Sequence, residues 1–110
     1  MQIEWLDFEK IDLRVGTITK VEEFPKAKKP AYKVWVDLGS LGIKKSSAQI
    51  TDFYTNESLL GRQVLCVVNL KPRQVADFMS EILITGFILA DGKVVLASCE
   101  RAVPNGTRLA

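Results

Sequence analysis

Leu13-Arg14-Val15-Gly16-Thr17-Ile18-Thr19-Lys20-Val21 alternates apolar and polar residues through its centre, the pattern of a strand buried on one face. Gly16 inside it predicts a bend or bulge, as at a barrel corner. Upstream, Asp7 to Lys10 reads as one short helical turn with Asp7 as its N-cap. Downstream, Pro25-Lys26-Ala27-Lys28-Lys29-Pro30 cannot continue a ladder and is a loop. A second strand follows at Tyr32 to Leu38, then a turn at Gly39-Ser40-Leu41-Gly42. The third strand, Ile43 to Ile50, is more polar, so one of its faces is expected to be wet. Thr51 or Asp52 then caps a short helical segment that Gly61 ends. Strand four is Gln63 to Leu70. A loop from Lys71 to about Ala76 leads to strand five, near Met79 to Leu89. Asp91-Gly92 makes a tight hairpin turn, Lys93 to Ala97 returns, and Pro104-Asn105-Gly106 turns once more.

Three strands, a short helix and further strands is the order of an OB-fold. The expected architecture is therefore all-β: a five-stranded Greek-key barrel with a short helix between strands three and four and short terminal extensions, one domain over residues 1–110. Such barrels bind ligands on the face of strands two and three and on the loops joining strands one to two and four to five. Here those loops hold Lys26, Lys28 and Lys29, and Lys71 and Arg73. Solubilising charge on exposed loops accounts for the same residues equally well.

Composition removes several function classes. The chain has 110 residues, 47% hydrophobic and 25% charged, which argues against disorder. A net charge of +2 means that binding an anionic partner must depend on where the cations lie. There is no histidine, so the usual general base and commonest metal ligand are missing. Cys66 and Cys99 fit no metal or redox spacing and read as buried free thiols of a reducing, cytoplasmic compartment. The start, Met1-Gln2-Ile3-Glu4-Trp5, has no basic region or long apolar stretch of a signal peptide, and no apolar run reaches the roughly 18 residues of a membrane span. Catalysis is the weakest reading. Glu22 and Glu23 point to opposite faces of a strand. Cys66 has no base to activate it, and neither does Ser46-Ser47. No Gly-rich phosphate loop is present, and no cofactor is expected.

Two strands carry more apolar surface than one barrel uses. Val64-Leu65-Cys66-Val67-Val68, Ile82-Leu83-Ile84 and Phe87-Ile88-Leu89 do not alternate, so both their faces want cover. This predicts a symmetric homodimer with the outer faces of strands four and five near the contact. The alternative is cover from within the chain, by Trp5, Leu6 and Phe8 and by the C-terminal tail.

Asp12-Leu13-Arg14-Val15-Gly16, Asn69-Leu70-Lys71-Pro72-Arg73 with Ser80-Glu81 following, and Pro104-Asn105-Gly106 resemble, in order, the opening strand, second signature and closing turn of the tRNA-binding-domain family. That domain also occurs appended to some methionyl- and phenylalanyl-tRNA synthetases. Phe24-Pro25 through Lys29-Pro30-Ala31-Tyr32-Lys33, Ser46 to Thr51, and Phe78-Met79-Ser80-Glu81 are similar to the CsaA family within it, described as export-related chaperones. This resemblance implies a homodimer that binds unfolded precursor proteins and the translocation motor SecA. The chain departs from the tRNA-binding members where Ile82-Leu83 replaces Gly-Met after the Ser-Glu pair. It departs again where Lys28-Lys29-Pro30-Ala31 interrupts an Ala-Asp-Lys-Leu run, and where Phe24 replaces a frequent His.

Two binding readings follow. For RNA, including tRNA, Lys26, Lys28, Lys29, Lys44, Lys45, Lys71 and Arg73 would meet phosphates, with Asn69 and Ser80 on the same rim. Tyr32, Trp35, Phe53 or Tyr54 would offer stacking faces. For unfolded polypeptide, the favoured reading, Phe24, Tyr32, Trp35, Phe78 and Met79 would line an apolar groove edged by the basic loops. For each of these apolar residues a place in the core is at least as good an account.

Overall fold

Strand β1 (Leu13–Glu23) curves enough to serve two neighbours. Its first half pairs antiparallel with β4 (Gln63–Val67), Leu13 opposite Val67; its second half pairs with β2 (Tyr32–Asp37), Glu23 opposite Tyr32. The computed structural model, which describes residues 1–110, places the change of partner at Thr17, which faces Gln63 on one side and Asp37 on the other, and a register slip follows between Ile18 and Lys20. The bulge therefore falls after Gly16. Gly16 itself permits a close approach: a Cβ there would meet Val36 Cγ1 at 2.4 Å and the Asp37 carbonyl oxygen at 2.8 Å.

Strand β3 (Ile43–Ala48) pairs with β2, and β7 (Leu83–Ile84) with β4, giving the order β3-β2-β1-β4-β7. The ends of this sheet meet. The Glu81 N–H donates to the Lys45 carbonyl at 2.8 Å, and Lys45 N–H returns to Glu81 Oε1 at 3.1 Å. The result is a nearly closed five-strand antiparallel barrel, the OB-fold arrangement. A short helix, α2 (Asn56–Leu59), lies between β3 and β4 and drives fully buried Leu59 into the core. Period-two alternation turns Tyr32, Val34 and Val36 of β2 into the core, where they meet Ile18, Leu38, Val64 and Cys66.

Several boundaries differ from the sequence reading. The first helix, α1 (Trp5–Glu9), has Glu4 as its N-cap; Asp7 is its third residue and accepts from the Glu4 N–H at 3.0 Å. Helix α2 is capped by Thr55, not by Thr51 or Asp52, because Thr55 and Ser58 satisfy each other's backbone N–H groups. The stretch expected to loop from Lys71 to Ala76 contains β5 (Arg73–Val75), which forms a hairpin with β6 (Phe78–Ser80). Strand five is not continuous. The segment serves three neighbours in turn, β5, then β4, then β9 (Val94–Leu96), and breaks into β6, β7 and β8 (Gly86–Ile88) to do so.

The apolar surplus is divided. The tail pairs along β1 and touches β4 only at its start, through Gln63: Leu109 N–H donates to Leu13 O at 2.9 Å and Val15 N–H to Thr107 O at 3.0 Å, leaving Val15 buried. Asn105 fixes the tail by accepting from Thr17 Oγ1 (2.8 Å) and Gln63 Nε2 (3.1 Å). Trp5 and Leu6 stay exposed and shield little. On β7 and β8, Leu83, Phe87 and Ile88 are 48%, 64% and 79% exposed.

Cys66 is fully buried, and burial pushes its thiol up to about 12; Cys99 is partly exposed. Iodoacetamide at mildly alkaline pH is expected to label Cys99 and to spare Cys66 until the chain unfolds. Equal labelling of both in the native protein would contradict this packing. The same shift costs stability at high pH. The unfolded chain releases this proton near 9 and the folded chain near 12, so stability falls across that window as pH rises.

Candidate binding groove

The face that OB-folds use lies on the outside of β2 and β3. Alternation that buries Val34 and Val36 turns Lys33 and Trp35 outward, and the ladder sets Lys45 beside Trp35 and Ser47 beside Lys33. Lys44 opposes Val36 on the inward side and does not join Lys45. The β5–β6 hairpin leans across this outer face and fills its centre with aromatic packing. The Phe78 ring lies 5.6 Å from Phe24 and 5.8 Å from Trp35, both edge-on. Lysines cover what remains: Lys20 Nζ is 4.6 Å from the Trp35 ring centre, Lys33 Nζ 4.9 Å from that of Phe24, and Lys45 Nζ 5.1 Å from that of Phe78.

This packing corrects the expected apolar groove. Phe24 and Phe78 are buried in a small second cluster with Ala31, because large rings gain more by packing on one another than by facing water. Tyr32 points into the barrel, and its hydroxyl donates to the Tyr54 carbonyl at 2.8 Å. Trp35 is half-buried, with a lysine on its face. Of the expected groove residues only Met79 stays exposed, opposite Gln74 at the hairpin's outer side. Of the two other stacking candidates, Tyr54 packs against the barrel core and its hydroxyl accepts from the Leu96 N–H at 3.0 Å, while Phe53 is exposed but has Lys93 Nζ at 5.6 Å from its ring centre.

Two clefts flank this aromatic cluster and share Ser47, and a third, of about 420 Å³, lies beside the first against Phe24, Lys28 and Tyr32. One, of about 350 Å³, lies between the β1–β2 loop and the hairpin tip; Lys26, Lys28, Lys29, Ala31, Gln49 and Val75 line it. The other, of about 290 Å³, runs past Lys71, Arg73, Ser80, Ile82 and Leu83. The structure thus brings both basic loops of the sequence reading to one groove over β3. Ser80 marks the join, its Oγ accepting from the Ser47 N–H at 3.1 Å. Asn69 is engaged elsewhere: it accepts from the Asp12 N–H (2.9 Å) and donates to the Lys10 carbonyl (2.7 Å), tying the first helix to the barrel.

Of the rim cations Lys26, Lys28, Lys29, Lys71 and Arg73, only Lys26 has an ionic partner, Asp77 at 2.8 Å. The hydrogen bond between them raises the Lys26 pKa and lowers that of Asp77. Ser47, Gln49 and Lys33 escaped the sequence reading, although alternation along β2 and β3 was enough to place Lys33 and Ser47 outward. The groove can hold an elongated chain by charge at its rims and small aliphatic contacts on its floor. It gathers no metal ligands, and no group of three or more Cys, Asp or Glu comes together elsewhere. No helix is long and apolar enough to cross a membrane.

Residues 13–108 match the family model described as "Putative tRNA binding domain". The structure superposes end to end on chaperone CsaA from Bacillus anthracis str. Ames (TM-score 0.95, 44% identity, 100% of both chains). It also matches the CsaA chaperone protein of Picrophilus torridus (TM-score 0.92, 43% identity, 99% of this chain and 100% of that one). Methionine–tRNA ligase of Listeria monocytogenes is 38% identical over 98% of this chain, but the chain spans only 16% of that enzyme's length. The likeness to the synthetase therefore reaches one small part of it. A family model covering most of the barrel and full-length likeness to two chaperone structures lead to one assignment: the chain belongs to the tRNA-binding-domain family, as a CsaA-type member.

Proposed function

We propose that this barrel is an ATP-independent chaperone that holds unfolded precursor proteins in the cytosol for export by the Sec pathway, working as a homodimer. The observation that carries the reading is the groove's lining. The two clefts along β3 have cationic rims and aliphatic floors, and the rings that line the adjoining cleft, Phe24 and Tyr32, are themselves buried. Single-stranded nucleic-acid sites add stacking platforms to a basic track; here Trp35, Phe24 and Phe78 are packed on one another and covered by lysines. An extended polypeptide needs no ring. Its carboxylates suit the rim and its small apolar side chains suit the floor. Full-length likeness to structures named as chaperone CsaA supports the same reading. SecA is the downstream partner expected on this view. Holding would be passive, keeping the chain soluble by mass action.

A second reading, binding of tRNA, is favoured by the family model and by the unpaired Lys28, Lys29, Lys71 and Arg73 along one groove. Titration with reduced, carboxymethylated α-lactalbumin (an unfolded acidic chain) and with bulk tRNA separates the two. tRNA held at about four phosphates is expected to lose roughly fiftyfold in affinity between about 50 and 200 mM salt. The polypeptide, held partly by aliphatic contact, should lose far less. Alanine at Lys28, Lys29, Lys71 and Arg73 together should weaken the polypeptide about tenfold or more. Steep, salt-sensitive tRNA binding with no affinity for the unfolded chain would overturn the chaperone reading.

A further inference from the structure

The hairpin that leans over the groove ends in the two residues Ala76 and Asp77. Ala76 is the one non-glycine residue with positive φ, at 52°, a conformation disfavoured for any side chain with a Cβ. It is also part of the wall of the cleft that contains Lys26, Lys28 and Lys29. Two bonds hold the tip there: Gln74 Nε2 donates to the Ala76 carbonyl at 3.1 Å, and Lys26 Nζ donates to Asp77 Oδ2 at 2.8 Å. The second bond joins the groove's two walls, the β1–β2 loop and the hairpin. Asp77 thus places a carboxylate on the one rim cation that has an ionic partner, while its neighbours remain unpaired.

We infer that Asp77 is a tethered competitor: it occupies Lys26 in the free protein, and an incoming acidic polypeptide must displace it to engage that lysine. Asp77 then sets specificity. A chain with weak anionic character cannot displace it, whereas one with a run of carboxylates recovers the lost pair and gains the open groove. Both side chains are more than half exposed, so the exchange needs no unfolding of the barrel. The inference rests on the polypeptide-holding reading.

The test uses the full chain with Asp77→Asn, Lys26→Met and the double variant, titrated with reduced, carboxymethylated α-lactalbumin at two salt concentrations. Asp77→Asn is expected to bind about threefold to fivefold more tightly, with a steeper salt dependence, because one more cation is open. In the Lys26→Met background the same substitution should give no gain. Thermal melts check that each variant is folded. If the unmodified protein binds the unfolded chain and Asp77→Asn binds it no better, the competitor is disproved and the holding role stands. If neither binds it at all, the holding role fails, and this inference with it.

Discussion

Gly16→Ala is expected to lower stability by about 2–3 kcal/mol, a fall of about 10–20 °C in thermal midpoint. The added Cβ would lie 2.4 Å from Val36 Cγ1, 2.8 Å from the Asp37 carbonyl oxygen and 2.8 Å from Leu38 Cδ2. Val36 and Leu38 are fully buried and have nowhere to move, and the carbonyl belongs to the strand that pairs with β1 at Thr17–Asp37. The substitution therefore pushes β1 and β2 apart at the point where β1 changes partner. Gly61→Ala is the control. Gly61 has φ of 81° but open space around its Cβ position, so it should lose only the conformational cost of about 1–2 kcal/mol. Melting curves of the two variants decide the matter. Equal losses would mean that backbone freedom, not close packing, explains Gly16.

That residue shows how far the sequence reaches. Glycine within an alternating strand announced a special position, alternation placed the strands of the barrel, and cap and stop residues placed its helix, though with the wrong cap. It could not say whether the special feature was a bend or a contact, because the contacting atoms come from β2, some twenty residues downstream in the chain. Strand five failed for the same kind of reason. Its apolar run looked continuous, yet β6, β7 and β8 each answer to a different neighbour. Local pattern carries no information about which strand will lie alongside.

The site was legible in its charges and illegible in its rings. Lys26, Lys28, Lys29 and Lys71 are where loop position put them, since loops must run on the surface, whereas Arg73 lines the groove from strand β5. Phe24, Tyr32 and Phe78 belong to the interior, and a large ring beside a basic loop looks the same in sequence whether it floors a groove or supports one. Here it supports one. The packed rings are a base on which Lys20, Lys33 and Lys45 are held.

Phe87→Glu with Ile88→Glu is expected to convert a dimer to monomers, raising its dissociation constant by at least about a hundredfold. The β8–β9 hairpin is a two-stranded ribbon outside the main sheet, joined through Phe87–Val95 and Ile88–Val94. Such ribbons are marginal without cover, and this one leaves both its faces open, with Phe87 on one and Ile88 on the other mostly in water; Leu83 and Leu89 in the flanking segments are exposed as well. The C-terminal tail pairs along β1, so the exposed apolar surface is narrower than the sequence alone suggested, and in the proposed homodimer the contact falls on β7 and β8. In a two-fold contact each substitution enters twice, and glutamates facing an apolar partner are both desolvated and mutually repelled. Sedimentation velocity across a range of concentrations is the measurement. The variant should sediment as a folded monomer that still binds the unfolded chain at its groove, since neither Phe87 nor Ile88 lines that groove. An unmodified protein that is monomeric at every concentration, or a doubly substituted one that remains dimeric, would show that this patch is not where two copies meet.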